Sequence, residues 1–103
     1  MEEMILEQYK ALEKKVLGYT PNLDVDRLHQ AFTFAYESHE GQKRKSGEPY
    51  IIHPIAVAEI VAELELDPDS IIAAILHDVI EDTAATYEDI AHRFGEPVAI
   101  LVE

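Results

Sequence analysis

Four ionisable side chains, His77, Asp78, Glu81 and Asp82, fall within six positions directly after an unbroken apolar run from Ile71 to Leu76. Ionisable groups beside a buried segment are costly unless they are paired, hydrogen-bonded or bound to a metal, so the cluster needs a chemical reason. Adjacent His and Asp can reach one ion from the end of a helix. If that helix continues, Glu81 lies one turn from His77 and Asp82 one turn from Asp78, and all four side chains converge. His53 is the natural third ligand, standing beside Pro54 after the apolar Tyr50, Ile51 and Ile52. Two imidazoles and a carboxylate suit a divalent ion of the Mn, Fe, Zn or Co type, with positions left open for water and substrate. Such an ion makes water far more acidic than bulk water, and Glu81 or Asp82 can accept or steer the proton released during attack on phosphorus. A lone His-Asp dipeptide is a weak signal. The weight here comes from its combination with His53, the apolar run and the Glu-Asp pair.

The remaining composition narrows the chemistry. The chain has no Cys, which excludes a disulfide framework, a thiolate metal site and a Cys nucleophile. His29, His39 and His92 lie within or at the ends of amphipathic helices and read as surface or cap residues rather than ligands. A formal net charge of -13 argues against a binder of nucleic-acid polymers, which needs a basic surface. Against that background Lys43, Arg44 and Lys45 are three consecutive residues of only eight Lys and Arg. Charge runs are commonly solvated loops, but a local basic patch can also hold a small anionic ligand, and an Arg can stack on a base or clamp a phosphate where Lys cannot. The acidic start, Met1 to Lys10, lacks the features of a signal peptide. No segment approaches the ~20 apolar residues of a membrane span. A cytoplasmic protein without membrane attachment is the resulting expectation.

The elements that must position these residues are helical. At 103 residues, 48% hydrophobic and 8% aromatic, the chain has the scale of one domain, residues 1–103. Ile5, Tyr9, Leu12 and Val16 form one helical stripe, closed by Gly18 and Pro21. Asp24 caps a second helix running to Ser38, with Leu28, Ala31, Phe32 and Ala35 inward and Gly41 as its stop. Gln42 to Pro49 has no periodicity and reads as a loop, followed by Tyr50 to Ile52 as a short extended piece. A third helix opens at Pro54 with Ala58, Val61 and Ala62 inward, and Asp67 and Pro68 start a fourth. Its apolar run faces core on every side, which places it at the centre of the domain. Thr86 and Asp89 make a capping box for a fifth helix that buries Ile90 and Phe94 and ends at Gly95. Pro97 opens a sixth, in which Val98, Ile100, Leu101 and Val102 still want partners at Glu103. The expected fold is therefore all-α, about six helices, incomplete at the C-terminus.

The run Arg44-Lys45-Ser46-Gly47-Glu48-Pro49-Tyr50-Ile51-Ile52-His53-Pro54, with Leu76-His77-Asp78-Val79-Ile80-Glu81-Asp82-Thr83, closely resembles the hydrolase domain of the Rel/SpoT bifunctional alarmone enzymes. The likeness is gapless from roughly Asp24 to Glu103, and two motifs at this separation are more specific than a generic His-Asp signature. The resemblance implies an HD-domain helical bundle with a manganese ion that hydrolyses (p)ppGpp to pyrophosphate and GDP or GTP in the stringent response. It implies His53, His77 and Asp78 as metal ligands, Glu81 and Asp82 as the acidic pair handling the attacking water, and Arg44, Lys45 and Ser46 as the loop contacting the guanine. The family completes its metal shell with an aspartate on a later helix, so the chain is expected to be the N-terminal part of an HD phosphohydrolase domain, with its exposed apolar face free to pair with a second copy. Two other readings stand beside it: an HD phosphohydrolase acting on another nucleotide, disfavoured by the Arg44–Ser46 loop, and a non-catalytic helical interaction module.

Overall fold

In a computed structural model, residues 3–103 are described; Met1 and Glu2, at the acidic start, lie outside the described residues. Among the described residues there are seven helices and no strand: α1 Glu3–Tyr19, α2 Val25–Ser38, α3 Ile52–Glu63, α4 Pro68–Leu76, α5 Val79–Asp82, α6 Tyr87–Phe94 and α7 Glu96–Val102. Six of them correspond to the six expected from periodicity and caps. The seventh, α5, is a single turn where the fourth helix was expected to continue.

The apolar stripes behave as their spacing requires. Helix α1 buries Ile5, Tyr9, Leu12 and Val16, and α2 buries Leu28, Ala31, Phe32 and Ala35. The Asp24 carboxylate accepts the backbone N–H of Arg27 at 3.1 Å, meeting one of the donors that a helix start leaves unpaired. All six residues from Ile71 to Leu76 are buried, and α4 packs against α2, α3 and α7. Each large apolar side chain so buried contributes roughly 1.5–3 kcal/mol relative to exposure, so this nine-residue helix is the hub of the core. Arg27 ties three elements together from outside: its guanidinium meets the Asp69 carboxylate at 2.9 Å and donates to the Phe94 carbonyl at 2.6 Å.

Three local expectations need correction. Tyr50 to Ile52 is not extended. Pro49 starts a tight turn, with Ile52 N–H donating to the Pro49 carbonyl at 3.3 Å and His53 N–H to the Tyr50 carbonyl at 3.0 Å, so α3 begins at Ile52 rather than Pro54. Its inward face is Pro54, Ile55, Ala58 and Ala62, while Val61 is only half-buried. Asp67 stands at the start of α4, yet its carboxylate makes no bond to the helix backbone and instead accepts the Ser70 hydroxyl at 2.6 Å. The capping box of α6 is formed as the sequence suggests, with Asp89 as competent as Glu: Thr86 N–H donates to Asp89 at 2.9 Å and Asp89 N–H to the Thr86 hydroxyl at 3.2 Å. Gly95, at φ 99°, lets the chain reverse directly into α7, a conformation that L side chains rarely adopt. Helix α7 buries Val98 and Ala99, half-buries Val102, and leaves Ile100 and Leu101 exposed.

The loop after α2 is a small hairpin. Lys43 and Pro49 form an isolated antiparallel bridge, Arg44 N–H donates to the Glu48 carbonyl at 2.9 Å, and Gly47 N–H to the Arg44 carbonyl at 2.8 Å, with Gly47 at φ 88°. Its tip presents Arg44, Lys45 and Ser46 to solvent.

Candidate metal centre

Helix α4 stops at Leu76, where the His77 ring turns back onto a carbonyl of the helix's last turn. The His77 backbone N–H reaches the Ala74 carbonyl at only 3.5 Å, while its ring Nδ1 lies 2.7 Å from the same oxygen. A carbonyl can only accept, so Nδ1 carries the proton and donates, which fixes the ring and leaves Nε2 with its lone pair outward. That Nε2 is 3.1 Å from Asp78 Oδ2, and His53 Nε2, from the first turn of α3, is 3.7 Å from the same oxygen. One potential ligand atom from each of His53, His77 and Asp78 falls within a 4.8 Å set. Atoms sharing one ion at ~2.0–2.2 Å stand at most about 4.4 Å apart, so a small side-chain adjustment closes the set.

The donor set fits a divalent cation on electrostatic grounds. A neutral imidazole lone pair facing a carboxylate oxygen at 3.1 Å is two acceptors meeting with no donor between them. Only a positive charge, a second proton on the ring or a bound cation, turns that contact favourable. The Ala74 carbonyl behind His77 is the kind of outer partner that orients a ligating imidazole. All three side chains are partly open to solvent, at 34% for His53, 33% for His77 and 18% for Asp78, so the site is reachable.

Tyr50 is the central residue that sequence reasoning missed. Its hydroxyl lies 2.7 Å from Asp78 Oδ2 and 3.0 Å from Asp82 Oδ2. Partial burial first, and then these two hydrogen bonds and the two carboxylate charges, hold the phenol well above its usual range, so it is a donor throughout the physiological span. Its ring stacks on His39, with centroids 4.6 Å apart, and meets His53 edge-on at 5.9 Å. His39, expected at a surface or cap, does cap α2, but it is buried, at 2% exposure. Its Nδ1 pairs with Gln42 Oε1 at 3.1 Å, and the Gln42 amide donates to the Asp82 carbonyl at 2.7 Å. Tyr50 stands three residues before His53, which is one helical turn, and that spacing was the available signal. Nothing local marks Gln42. His29 and His92 are exposed, as expected.

Of the residues singled out in the sequence, the fold brings together His53, His77, Asp78 and Asp82. It does not bring Glu81 with them. The continuous helix that would have stacked Glu81 over His77 is broken at His77 and Asp78, and Glu81 is exposed with no hydrogen-bond partner among the described residues. The break instead turns α5 so that Asp82 faces Tyr50. Arg44, Lys45 and Ser46 lie at the hairpin tip outside this cluster, but Gln42 and Tyr50, at the hairpin's base, anchor it there; the Tyr50 N–H donates to the Gln42 carbonyl at 3.1 Å.

The HD-domain family matches residues 31–103. The bifunctional (p)ppGpp synthase/hydrolase SpoT of Escherichia coli (strain K12) is 53% identical over 95 residues, covering 92% of this chain. A guanosine-3′,5′-bis(diphosphate) 3′-pyrophosphohydrolase of Aquifex aeolicus (strain VF5) is 54% identical over 90 residues, covering 87% of this chain. The chain spans 14% and 13% of the length of these two relatives. A solved structure described as "A metazoan ortholog of SpoT hydrolyzes ppGpp and plays a role in starvation responses" superposes with a TM-score of 0.69 at 36% identity, over 74% of this chain and 45% of that one. The matched stretch takes in α3, α4 and α5 and with them every residue of the His53, His77 and Asp78 cluster, and on this ground the chain belongs to the HD-domain family and is homologous to a segment of the SpoT-type enzymes.

Proposed function

We propose that this chain supplies the metal-holding and guanine-facing residues of a guanosine-3′,5′-bis(diphosphate) 3′-pyrophosphohydrolase, which converts (p)ppGpp to GDP or GTP and pyrophosphate. The observation that carries the reading is the meeting of His77 Nε2, Asp78 Oδ2 and His53 Nε2 at a solvent-accessible spot. His53, His77 and Asp78 would hold the ion, with manganese as the metal. When bound, such an ion acidifies water and offsets negative charge gathering at phosphorus.

The chain's own residues do the rest. Asp82, oriented by Tyr50 at its carboxylate and by Gln42 at its carbonyl, takes the proton from the attacking water. Glu81, exposed beside it, hands that proton on to solvent. Arg44, with Lys45 and Ser46, receives the guanine at the hairpin tip, where the guanidinium plane can stack on the base while its charge faces the nucleotide's phosphates. The hairpin's anchorage through Gln42 and Tyr50 sets the distance between base and reacting phosphate, which selects a guanosine carrying a 3′-diphosphate.

The accompanying proposals follow from charge and surface. A net charge of -13 keeps polymeric nucleic acid away from everything but the hairpin. No described helix is long and apolar enough to cross a membrane, and the proposed setting is the cytoplasm, in the stringent response. Residues 1–103 act as one domain, and the exposed Ile100 and Leu101, with Leu66 across a shared groove from Leu101, form a face for a second copy. A substrate panel tests the reading: manganese-loaded protein is expected to release pyrophosphate from ppGpp and pppGpp and to leave nucleotides without a 3′-diphosphate untouched. Equal turnover of other nucleotides would move the assignment to a broader HD phosphohydrolase.

A further inference from the structure

The Tyr50 hydroxyl has one proton and two carboxylate oxygens within reach, Asp78 Oδ2 at 2.7 Å and Asp82 Oδ2 at 3.0 Å. The first is the same oxygen that lies nearest both imidazole Nε2 atoms. The phenol is not free to leave: its ring is sandwiched between the buried His39 ring and the edge of His53, and His39 is itself held by Gln42. A single proton offered to two competing acceptors from a fixed ring goes to whichever carries more available lone-pair density. When a cation draws on Asp78 Oδ2, that oxygen becomes the poorer acceptor.

We infer that Tyr50 is a positioning residue whose hydroxyl couples cation binding at Asp78 to the orientation of Asp82: without the cation the hydrogen bond is held by Asp78, and with it the bond passes to Asp82. The inference rests on the metal-site reading given above. It has a structural corollary. Asp78 and Asp82 are the first residue before and the last residue of α5, so Tyr50 spans the whole turn, while Gln42 holds its far end through the Asp82 carbonyl. The turn that carries both carboxylates is thereby locked to the hairpin and to the start of α3, and ion loading reaches Asp82 through one hydroxyl rather than through a backbone movement.

The test reads metal affinity and a spectroscopic signature of this chain. Calorimetric titration with Mn2+ is expected to show Tyr50→Phe binding several-fold more tightly than wild type, because the variant has no hydrogen bond to give up at Asp78 when the cation arrives. The phenylalanine ring keeps the stacking on His39. Asp82→Asn and Tyr50→Phe are expected to act non-additively, the double variant binding like Tyr50→Phe alone. Independent multiplication of the two effects, to within about two-fold, would overturn the coupling. Should the variant fold poorly, wild type decides alone: with ring-labelled tyrosine, the Tyr50 13Cζ resonance is expected to shift on titration with diamagnetic Zn2+, and a resonance that stays fixed while Zn2+ binds overturns the inference. Wild-type protein that binds neither ion overturns the metal-site reading itself; wild type that binds while Tyr50→Phe matches it overturns only the role of Tyr50.

Discussion

Asp78→Asn should raise the stability of the metal-free protein and abolish its stabilisation by metal, two effects of opposite sign from one atom-for-atom replacement. In metal-free protein His77 donates from Nδ1 to Ala74, so its Nε2 lone pair faces Asp78 Oδ2 at 3.1 Å. An asparagine NH2 in place of that oxygen supplies the missing N–H to His77 and a second one to the Tyr50 oxygen, whose own proton then goes to Asp82 Oδ2 at 3.0 Å. One new neutral hydrogen bond contributes about 0.5–1.5 kcal/mol, and Asp78 makes no side-chain cap bond to α5 that would be lost. For a domain of this size about 1 kcal/mol corresponds to a rise of roughly 4–8 °C in Tm. The metal side is larger. A cation at a hundred times its Kd stabilises the wild type by about 2.7 kcal/mol, or roughly 10–20 °C, and the neutral asparagine should remove most of that. Differential scanning calorimetry at pH 8, with EDTA and then with Mn2+, reads both effects. A metal-free Asp78→Asn protein that melts below wild type would show that His77 and Asp78 form an ion pair, and would refute the argument from opposed lone pairs.

Other consequences follow from the core, the caps and the hairpin. Ile72→Ala, at 1% exposure in the central helix, should cost about 2–5 kcal/mol in urea unfolding. Thr86→Ala should cost about 1 kcal/mol by removing the hydroxyl half of the α6 capping box, checked by the same denaturation. The Thr86 backbone N–H, and then its hydroxyl, hold the Asp89 carboxyl below its ordinary value of 3.8; because the folded value is the lower one, its contribution is complete above that pH and is lost as pH falls through the folded value. Far-UV circular dichroism on acid titration should therefore show a component that Asp89→Asn lacks. Arg44→Ala should raise KM for ppGpp at least ten-fold with little change in Tm, since the side chain is exposed at the hairpin tip; a lowered Tm with unchanged KM would make the tip a structural element instead.

Much of this architecture was legible because helical spacing and caps are local. The α1 and α2 stripes, the buried run Ile71 to Leu76 and the Thr86–Asp89 box could all be read within a few residues of themselves, and the structure has each of them. Tyr50 to Ile52 misled because three apolar residues carry no period, and the turn begun at Pro49 outweighed their extended preference. The break at His77 was hidden for a different reason. Backbone propensity favours continuation, and α4 ends where the His77 ring turns back onto the Ala74 carbonyl, a contact that no pattern of hydrophobicity records. That break decides the site: it separates Glu81 from the cluster and turns Asp82 toward Tyr50. Gln42 and His39 act across 40 and 11 residues on groups that sequence spacing cannot bring together, which is why the scaffold behind the cluster emerged only from the fold.

The most direct measurement is manganese-dependent release of pyrophosphate from ppGpp, made on this chain and on a form lengthened to match its relatives, each with and without His77→Ala. Metal-dependent turnover that disappears on His77→Ala is the result expected for a hydrolase site built on His53, His77 and Asp78. Folded, manganese-loaded protein that leaves ppGpp intact in both lengths would contradict it.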